Sequence, residues 1–272
     1  MSRVHEAMQR AGMRPIAQAP VVVRPQTATV TAAPSADTSA PVAQVGAAIA
    51  LETVLDPKID PIVVDEVRKL ASAVQQARLA QDLKVFTIAS SAPEEGKSMT
   101  ALNLALTLAS SYSLQVLLID ADLRAPSVAG RLDVPASPGL TDLLSAPSGA
   151  PWPLYQAAPS LAVLTAGQRT RDPISRIGSV RMKEILTSAR ERFDAIIIDT
   201  PPIGPFPDAA LLSAMSDATL LVIGAGATPY KAAQRAVEVI GEEKILGVVL
   251  NRVDWAALSD SYGYYGRYRH SR

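Results

Sequence analysis

The chain has 272 residues, with 26 basic and 26 acidic side chains, no cysteine, and two histidines near its ends, His5 and His270. Zero net charge argues against nucleic acid or an anionic membrane as the main partner, since both call for a basic excess. The missing cysteines exclude disulfides, thiolate metal sites and a cysteine nucleophile, and the histidines offer neither a triad nor a metal cluster, so any chemistry falls to Asp, Glu, Lys, Ser, Thr, Tyr, Arg and backbone groups, a repertoire suited to phosphoryl transfer.

Residues 1–60 read as a disordered, Pro/Ala-rich arm, with Pro20, Pro25, Pro34 and Pro41 and no helical or strand period. The arm is a plain tail or a tether. No short apolar run follows Arg3, Arg10 and Arg14, as a secretory signal would require. The stretch 41–55 falls short of the roughly 20 apolar residues of a membrane span. The expectation is a cytoplasmic protein with no direct membrane span.

A domain is expected over residues 61–255. Val63, Val67, Leu70 and Val74 lie at helical spacing and predict an amphipathic helix ending before Leu83. Strands and helices then alternate. Apolar runs at 85–90, 115–120, 161–167, 194–199, 218–224 and 245–251 read as six buried strands. Between them, 100–112, 139–146, 180–193, 209–215 and 229–241 read as helices, the first apolar almost all round and so buried. Strands apolar on both faces, separated by helices, imply a parallel sheet covered on both sides, with its site at the carboxyl ends of the strands.

The first of these strand ends runs through Ser91–Ser98 directly into a helix and approximates the phosphate-binding pattern G-x-x-x-x-G-K-[ST]. In that pattern backbone N–H groups and the helix N-terminus hold a polyphosphate, Lys97 reaches the β- and γ-phosphates, and Ser98 offers a hydroxyl to Mg²⁺. Ser91 stands where the first glycine is usual, and Glu94 and Glu95 bring two carboxylates to a phosphate site. The second strand ends in Asp120 and Asp122, two residues apart and so pointing the same way on an extended path. Bound Mg²⁺ between them, or Arg124 as an ion-pair partner, would relieve their repulsion. The strand ending at Asp199 has the form of a Walker B segment, with Pro201 and Pro202 forcing the chain out of the sheet. Asn251 and Arg252 close the last strand, where they would read a base or cap the strand end. Residues 256–272 read as a flexible tail in which Tyr262, Tyr264, Tyr265 and Tyr268 fall within seven positions. They are an adhesive aromatic fringe or phosphate acceptors.

Taken in this order, the motifs resemble those of the bacterial tyrosine kinases that govern capsular and exopolysaccharide synthesis. The likeness covers roughly residues 60–272 and includes 137–146 and 164–173. It implies an α/β fold, a P-loop ATPase of the partition-protein superfamily with a mainly parallel sheet and helices on both faces. It implies ATP and Mg²⁺ as cofactors, autophosphorylation of a tyrosine cluster on a neighbouring subunit in a homo-oligomeric ring, and a membrane polysaccharide co-polymerase as activator. That activator would sit on a separate chain and hold the kinase at the inner face of the membrane. By the same resemblance Lys97, Asp120 and Asp122 are catalytic, and Ser98, Asp122 and Asp199 serve the metal. The nucleotide would rest on Ser91, Ala92, Pro93, Glu94, Glu95, Gly96, Lys97, Ser98 and Met99, with Asn251 and Arg252 beside it. Tyr262, Tyr264, Tyr265 and Tyr268 are the acceptors.

Three positions depart from the family pattern. Glu94 replaces a glycine, Ala71 replaces the second Arg of an E-x-x-R-x-x-R ring motif that Asp65 and Arg68 otherwise fit, and Asp172 replaces an Asn before Pro173. Two alternatives stand beside the kinase. One is a partition or septum-positioning ATPase, which carries a further loop lysine where this chain has Ala92. The other is a scaffold that has lost ATP turnover through Glu94.

Overall fold

The computed structural model describes residues 43–44, 53, 54, 56 and 58–253. The tyrosine-rich tail and most of the expected arm lie outside the described residues. Parts of the stretch read as an arm are nevertheless ordered. Ala43–Gln44 form a short strand, β1, and Thr53 is fully buried while the Val54 amide donates to the Asn103 side chain at 2.9 Å.

The first helix, α1 (Pro61–Gln81), starts where Asp60 accepts from the Ile62 amide and Pro61 takes the first turn, whose N–H would be unsatisfied in any case. Then follow β2 (Val85–Ser90), α2 (Lys97–Tyr112), β3 (Val116–Asp120), α3 (Val128–Leu132), α4 (Leu140–Ser145), β4 (Tyr155–Ala158) and β5 (Leu161–Leu164). The chain continues through α5 (Pro173–Ile177), α6 (Val180–Arg192), β6 (Ala195–Asp199), α7 (Asp208–Met215), β7 (Ala218–Gly224), α8 (Tyr230–Ile240) and β8 (Ile245–Asn251). The strands form one sheet in the order β1-β4-β5-β3-β6-β2-β7-β8. All pairs are parallel except β4 with β5.

All six expected strands and all six expected helices are present. The strand expected over 161–167 stops at Leu164, because Thr165 and Ala166 give their carbonyls to the first amides of α4. The expectation had no place for β1, β4, α3 and α5. β4 has only four residues and follows Pro147, Pro151 and Pro153, a composition that reads as loop.

The central strands are buried throughout, and their side chains alternate between two helical layers. Val116 and Leu118 of β3 and Ala195 and Ile197 of β6 face the layer of α1 and α2, with Leu102, Leu104 and Leu108. Leu117 and Ile119 of β3 and Ile196 and Ile198 of β6 face α4 and α6, with Leu140, Met182 and Ile185. Each of these large side chains contributes roughly 2 kcal/mol by leaving water. Helix α2 has apolar residues on nearly every side because the sheet, α1 and α3 surround it.

Asp217 clips the amino ends of the strands together. Its carboxylate accepts from the Lys84 and Val85 amides at 2.8 Å and pairs with Arg190 of α6 at 2.6 Å. Burial alone would raise its pKa, but the bonds from Arg190 and from the Val85 and Lys84 amides hold it below the usual carboxylate range. We expect Asp217→Ala to cost about 2 kcal/mol in urea unfolding, since two amides and a guanidinium lose their acceptor. The depressed folded pKa means that the Asp217 contribution is complete above the unfolded value near ~3.9. It is lost as pH falls through the folded value, so the difference between wild type and variant should shrink below about pH 4.

Candidate active site

Three adjacent strands, in the order β3-β6-β2, bring their carboxyl ends to one rim of the sheet. The chain leaves β2 at Ser90, turns through residues 91–96 and enters α2 at Lys97, a helix of 16 residues. Its first amides have no intrahelical partner, so they and the helix dipole face whatever lies in the turn. The tight path needs two left-handed residues, Gly96 at φ 90° and Glu94 at φ 61°. Gly96 has no strain there; Glu94 carries roughly 1 kcal/mol or more.

The two glutamates differ in place and in role. Glu94 is exposed. Glu95 is buried and folded back into the loop, where it accepts from the Ser91 hydroxyl at 2.9 Å, from the Ala92 amide at 2.9 Å and from the Thr228 hydroxyl. The expectation of two carboxylates facing a phosphate is therefore corrected: Glu95 serves the loop's own frame. Asn251 completes that frame, donating its side-chain amide to the Glu95 carbonyl at 2.9 Å. A Cβ on Gly96 would stand 1.9 Å from the same Asn251 nitrogen, so the close approach of β8 to the loop also requires glycine. Asn251 is thus a latch on the loop, a role the sequence readings did not include. Arg252 is exposed at φ 55°.

The acids do not group as the sequence spacing implied. Asp120 faces Asp199 across the β3–β6 register, and both are fully buried. Asp120 accepts from the amides of Asp122, Ser127 and Val128 at 3.0–3.2 Å. Burial, with the Asp199 charge beside it, still pushes its pKa up to about 8. Burial raises Asp199 to about 6, against the pull of the Lys97 charge and the nearby Ser98 hydroxyl. Neither oxygen of Asp199 has a hydrogen-bond partner. Asp122 turns instead to Lys97, 3.4 Å from its ammonium, and accepts from the Ala125 amide at 2.9 Å. Arg124, weighed above as a partner for Asp120 or Asp122, is engaged elsewhere. It forks onto Asp208 at 3.1 and 3.3 Å and lies 4.0 Å over the Phe206 ring.

Asp208 and Thr228 were not legible as site residues, because each meets its partner across more than 80 positions of sequence. Asp172 caps α5 by accepting from the Ser175 amide at 3.2 Å, which Asn would do equally well.

The residues suit a nucleotide and a hydrated divalent cation. Two orphaned, buried oxygens of Asp199 are costly unless a cation or its water occupies them. Ser98 lies in the first turn of α2, on the same rim. Among the described residues no three or more acidic, His or Cys side chains converge on a metal. That suits Mg²⁺, which keeps several waters and takes most of its remaining ligands from a substrate's phosphates.

Residues 86–262 match the family model described as the CobQ/CobB/MinD/ParA nucleotide binding domain. Within that wide group a nearer relative decides the assignment: the chain is 35% identical over 209 residues to the tyrosine-protein kinase YwqD of Bacillus subtilis, covering 74% of this chain and 86% of that protein. The chain belongs to the bacterial tyrosine kinases. Its structure is similar to the kinase domain of the Escherichia coli tyrosine kinase ETK, with a TM-score of 0.64 and 28% identity over 70% of this chain and 75% of that one. This kinase is also 32% identical over 231 residues to the succinoglycan biosynthesis transport protein ExoP of Rhizobium meliloti, spanning 78% of this chain but 29% of the larger protein.

In the kinase, Glu94 should weaken nucleotide binding through both strain and charge. We expect Glu94→Gly and Glu94→Asn to tighten a fluorescent ATP analogue a few-fold at low salt, with the gain shrinking as salt screens the exposed charge. Asn, like Gly, tolerates φ > 0 and carries no charge, so the part of the gain that salt removes is assigned to charge and the part that survives at high salt to strain.

Proposed function

We propose that this kinase transfers the terminal phosphoryl group of Mg-ATP to Tyr262, Tyr264, Tyr265 and Tyr268 of a second copy, within a homo-oligomeric ring. We place this activity in exopolysaccharide or capsule polymerisation and export. The observation that carries the reading is the meeting of Lys97, Asp122, Asp120 and the unpartnered Asp199 at the amino end of α2.

Bound Mg-ATP would supply the phosphoryl group and the cation that offsets its charge. Lys97 and the amides of residues 91–99 would hold the phosphates at the helix N-terminus, with Asn251 and Arg252 beside the base. Ser98, Asp122 and Asp199 would hold the cation and its water. A tyrosine hydroxyl, with an unperturbed pKa near ~10, must shed its proton as it attacks. Asp120, whose carboxylate is fixed at the rim by the amides of Asp122, Ser127 and Val128, is our choice of proton acceptor once the cation is bound.

The exopolysaccharide setting is supported by the likeness to ExoP, a protein named for succinoglycan transport. It leads us to assign a membrane polysaccharide co-polymerase on another chain as the activating partner. No helix among the described residues is long and apolar enough to cross a membrane. We therefore assign localisation at the inner face of the membrane to that partner. For the ring, Asp65 and Arg68 form an exposed pair on α1 at 3.3 Å and are free to meet a neighbour. Ala71 is fully buried in the core, so the contact lacks the second arginine of the motif.

A complementation assay tests transfer between copies. A chain lacking residues 256–272 keeps the catalytic rim and has no acceptors; Lys97→Met keeps the acceptors and loses the rim lysine. Mixed with Mg-ATP, the two should yield phosphotyrosine on the Lys97→Met chain, and neither should label alone. Labelling of wild type with none in the mixture would overturn transfer between copies, and no phosphotyrosine in wild type would overturn the proposal as a whole.

A further inference from the structure

A cavity of about 700 Å³ opens beside the active-site rim, between α4, the segment 168–172, α5 and the start of α6. Four arginines and two aspartates line it. Two of the arginines are wall. Arg176 is bound to the Thr141 carbonyl at 3.2 Å and the Ser145 hydroxyl at 2.5 Å, and Arg181 to Glu184 at 2.9 Å and the Pro147 carbonyl at 3.0 Å. Both aspartates are committed as caps, Asp142 to the Gly139 amide at 2.7 Å and Asp172 to the Ser175 amide at 3.2 Å. Arg169 and Arg171 are exposed and engage no other side chain among the described residues. Thr141, on the lining, is 5% exposed, and its hydroxyl has no hydrogen-bond partner. Nor has the Nε of Arg181. The unspent groups open to the cavity are thus the guanidinium groups of Arg169 and Arg171, and the space they border is large enough for an aromatic side chain.

We propose that this cavity docks a phosphotyrosine from the C-terminal tail of a second copy, holding a tail that already carries one phosphate while its other tyrosines reach the phosphate loop. The proposal rests on the kinase reading above. A phosphomonoester dianion matches the planar forks of two free guanidinium groups. Free phosphate would leave most of the volume empty. Position supports the tail as its source. The cavity adjoins the end of β5, which is three strand spacings from β2 across β3 and β6, or about 14 Å along the rim. The four tyrosines lie one to six residues apart, and an extended chain covers about 3.3 Å per residue. Tyr262 and Tyr268, six residues apart, cover about 20 Å when extended, so one of that pair can sit in the cavity while the other approaches Asp120.

Charge makes such docking conditional. Residues 261–272 contain Arg267, Arg269 and Arg272 and no acid. An unmodified tail is repelled by the arginines of the cavity. Each phosphate adds about −1.5 to −2, so the first takes the segment from three positive charges to about one and sets a dianion before Arg169 and Arg171, and the second cancels or reverses the net charge. The first transfer is then unassisted, and later ones are favoured.

Binding and turnover can be measured separately. A labelled peptide of residues 256–272, with phosphate on Tyr268 or with none, is titrated into the full-length Lys97→Met chain and followed by anisotropy. The phosphorylated peptide should bind at least about tenfold more tightly, and Arg169→Ala/Arg171→Ala should remove that advantage. Equal binding of the two peptides, no effect of the double variant, or complete displacement by equimolar inorganic phosphate would each overturn the tail as occupant. In the otherwise wild-type chain with Mg-ATP, intact mass should show the double variant forming singly phosphorylated product at the normal rate and multiply phosphorylated forms several-fold more slowly. Equal slowing of both would place the arginines in the transfer itself and overturn docking. Because the peptide assay needs no turnover, a chain that binds the phosphopeptide yet transfers nothing would refute the proposed function and leave the docking site standing.

Discussion

Lys97→Met should lower the initial rate of phosphotyrosine formation by at least about a hundredfold and leave the urea midpoint nearly unchanged. The lysine is the positive charge placed among three acids: its ammonium lies 3.4 Å from Asp122 and draws down the pKa of Asp199. A preorganised cation aimed at a transferring phosphoryl group typically contributes a factor of 10²–10³ or more, because water is excluded and nothing has to reorient. Methionine keeps most of the length and an apolar stem, so the first turn of α2 has no reason to unravel. Asp122 is not orphaned by the change, since the Ala125 and Arg124 amides still donate to it. Asp199 should titrate higher than about 6 in the variant, because burial then acts with less opposition. Loss of activity therefore comes from charge rather than from folding. A rate within tenfold of wild type, in protein of normal stability, would remove Lys97 from the catalytic rim. Lys97→Arg should recover little, because a planar fork cannot take the place of a compact ammonium in the same space.

The fold and the rim were legible for one reason: buried parallel strands write themselves as short apolar runs, and the residues that end them are polar by necessity. The runs ending at Ser90, Asp120 and Asp199 therefore gave three strand ends of the site in the right places. What was not legible depends on register and on contacts between distant residues. Spacing along β3 paired Asp120 with Asp122, whereas the β3–β6 register pairs Asp120 with Asp199. Arg124 looked like a neighbour of the acids but crosses 84 positions to Asp208. Glu95 looked like a charge beside the phosphates, and only the arrival of Thr228 and Asn251 shows it to be part of the loop's frame. Close backbone approach is the least legible contact of all, because it leaves no side chain in the sequence to announce it.

Gly139 is the clearest instance, and Gly139→Ala should cost about 3 kcal/mol. Its φ of −156° is ordinary extended backbone, so left-handed strain plays no part. The difficulty is space. A Cβ there would lie 2.4 Å from the Thr165 carbonyl oxygen and 2.4 Å from the Gly167 nitrogen, both backbone atoms that no rotamer can move. Relief requires α4 to withdraw from the end of β5. That would stretch the bonds from the Leu140 amide to Thr165 at 2.7 Å and from the Thr141 amide to Ala166 at 3.0 Å. Overpacking in a rigid setting typically costs 1–3 kcal/mol, and the loss of these bonds puts this site at the upper end. Gly130→Ala is the control. It lies within α3 with nothing inside 4 Å of the added carbon, and it should be neutral or stabilising by up to about 1 kcal/mol. Urea midpoints measured side by side, at equal m values, decide the matter. A cost below about 1 kcal/mol for Gly139→Ala would mean that α4 slides freely on β5, and a helix that slides could not hold Thr141 and Arg176 in place around the arginine-lined cavity.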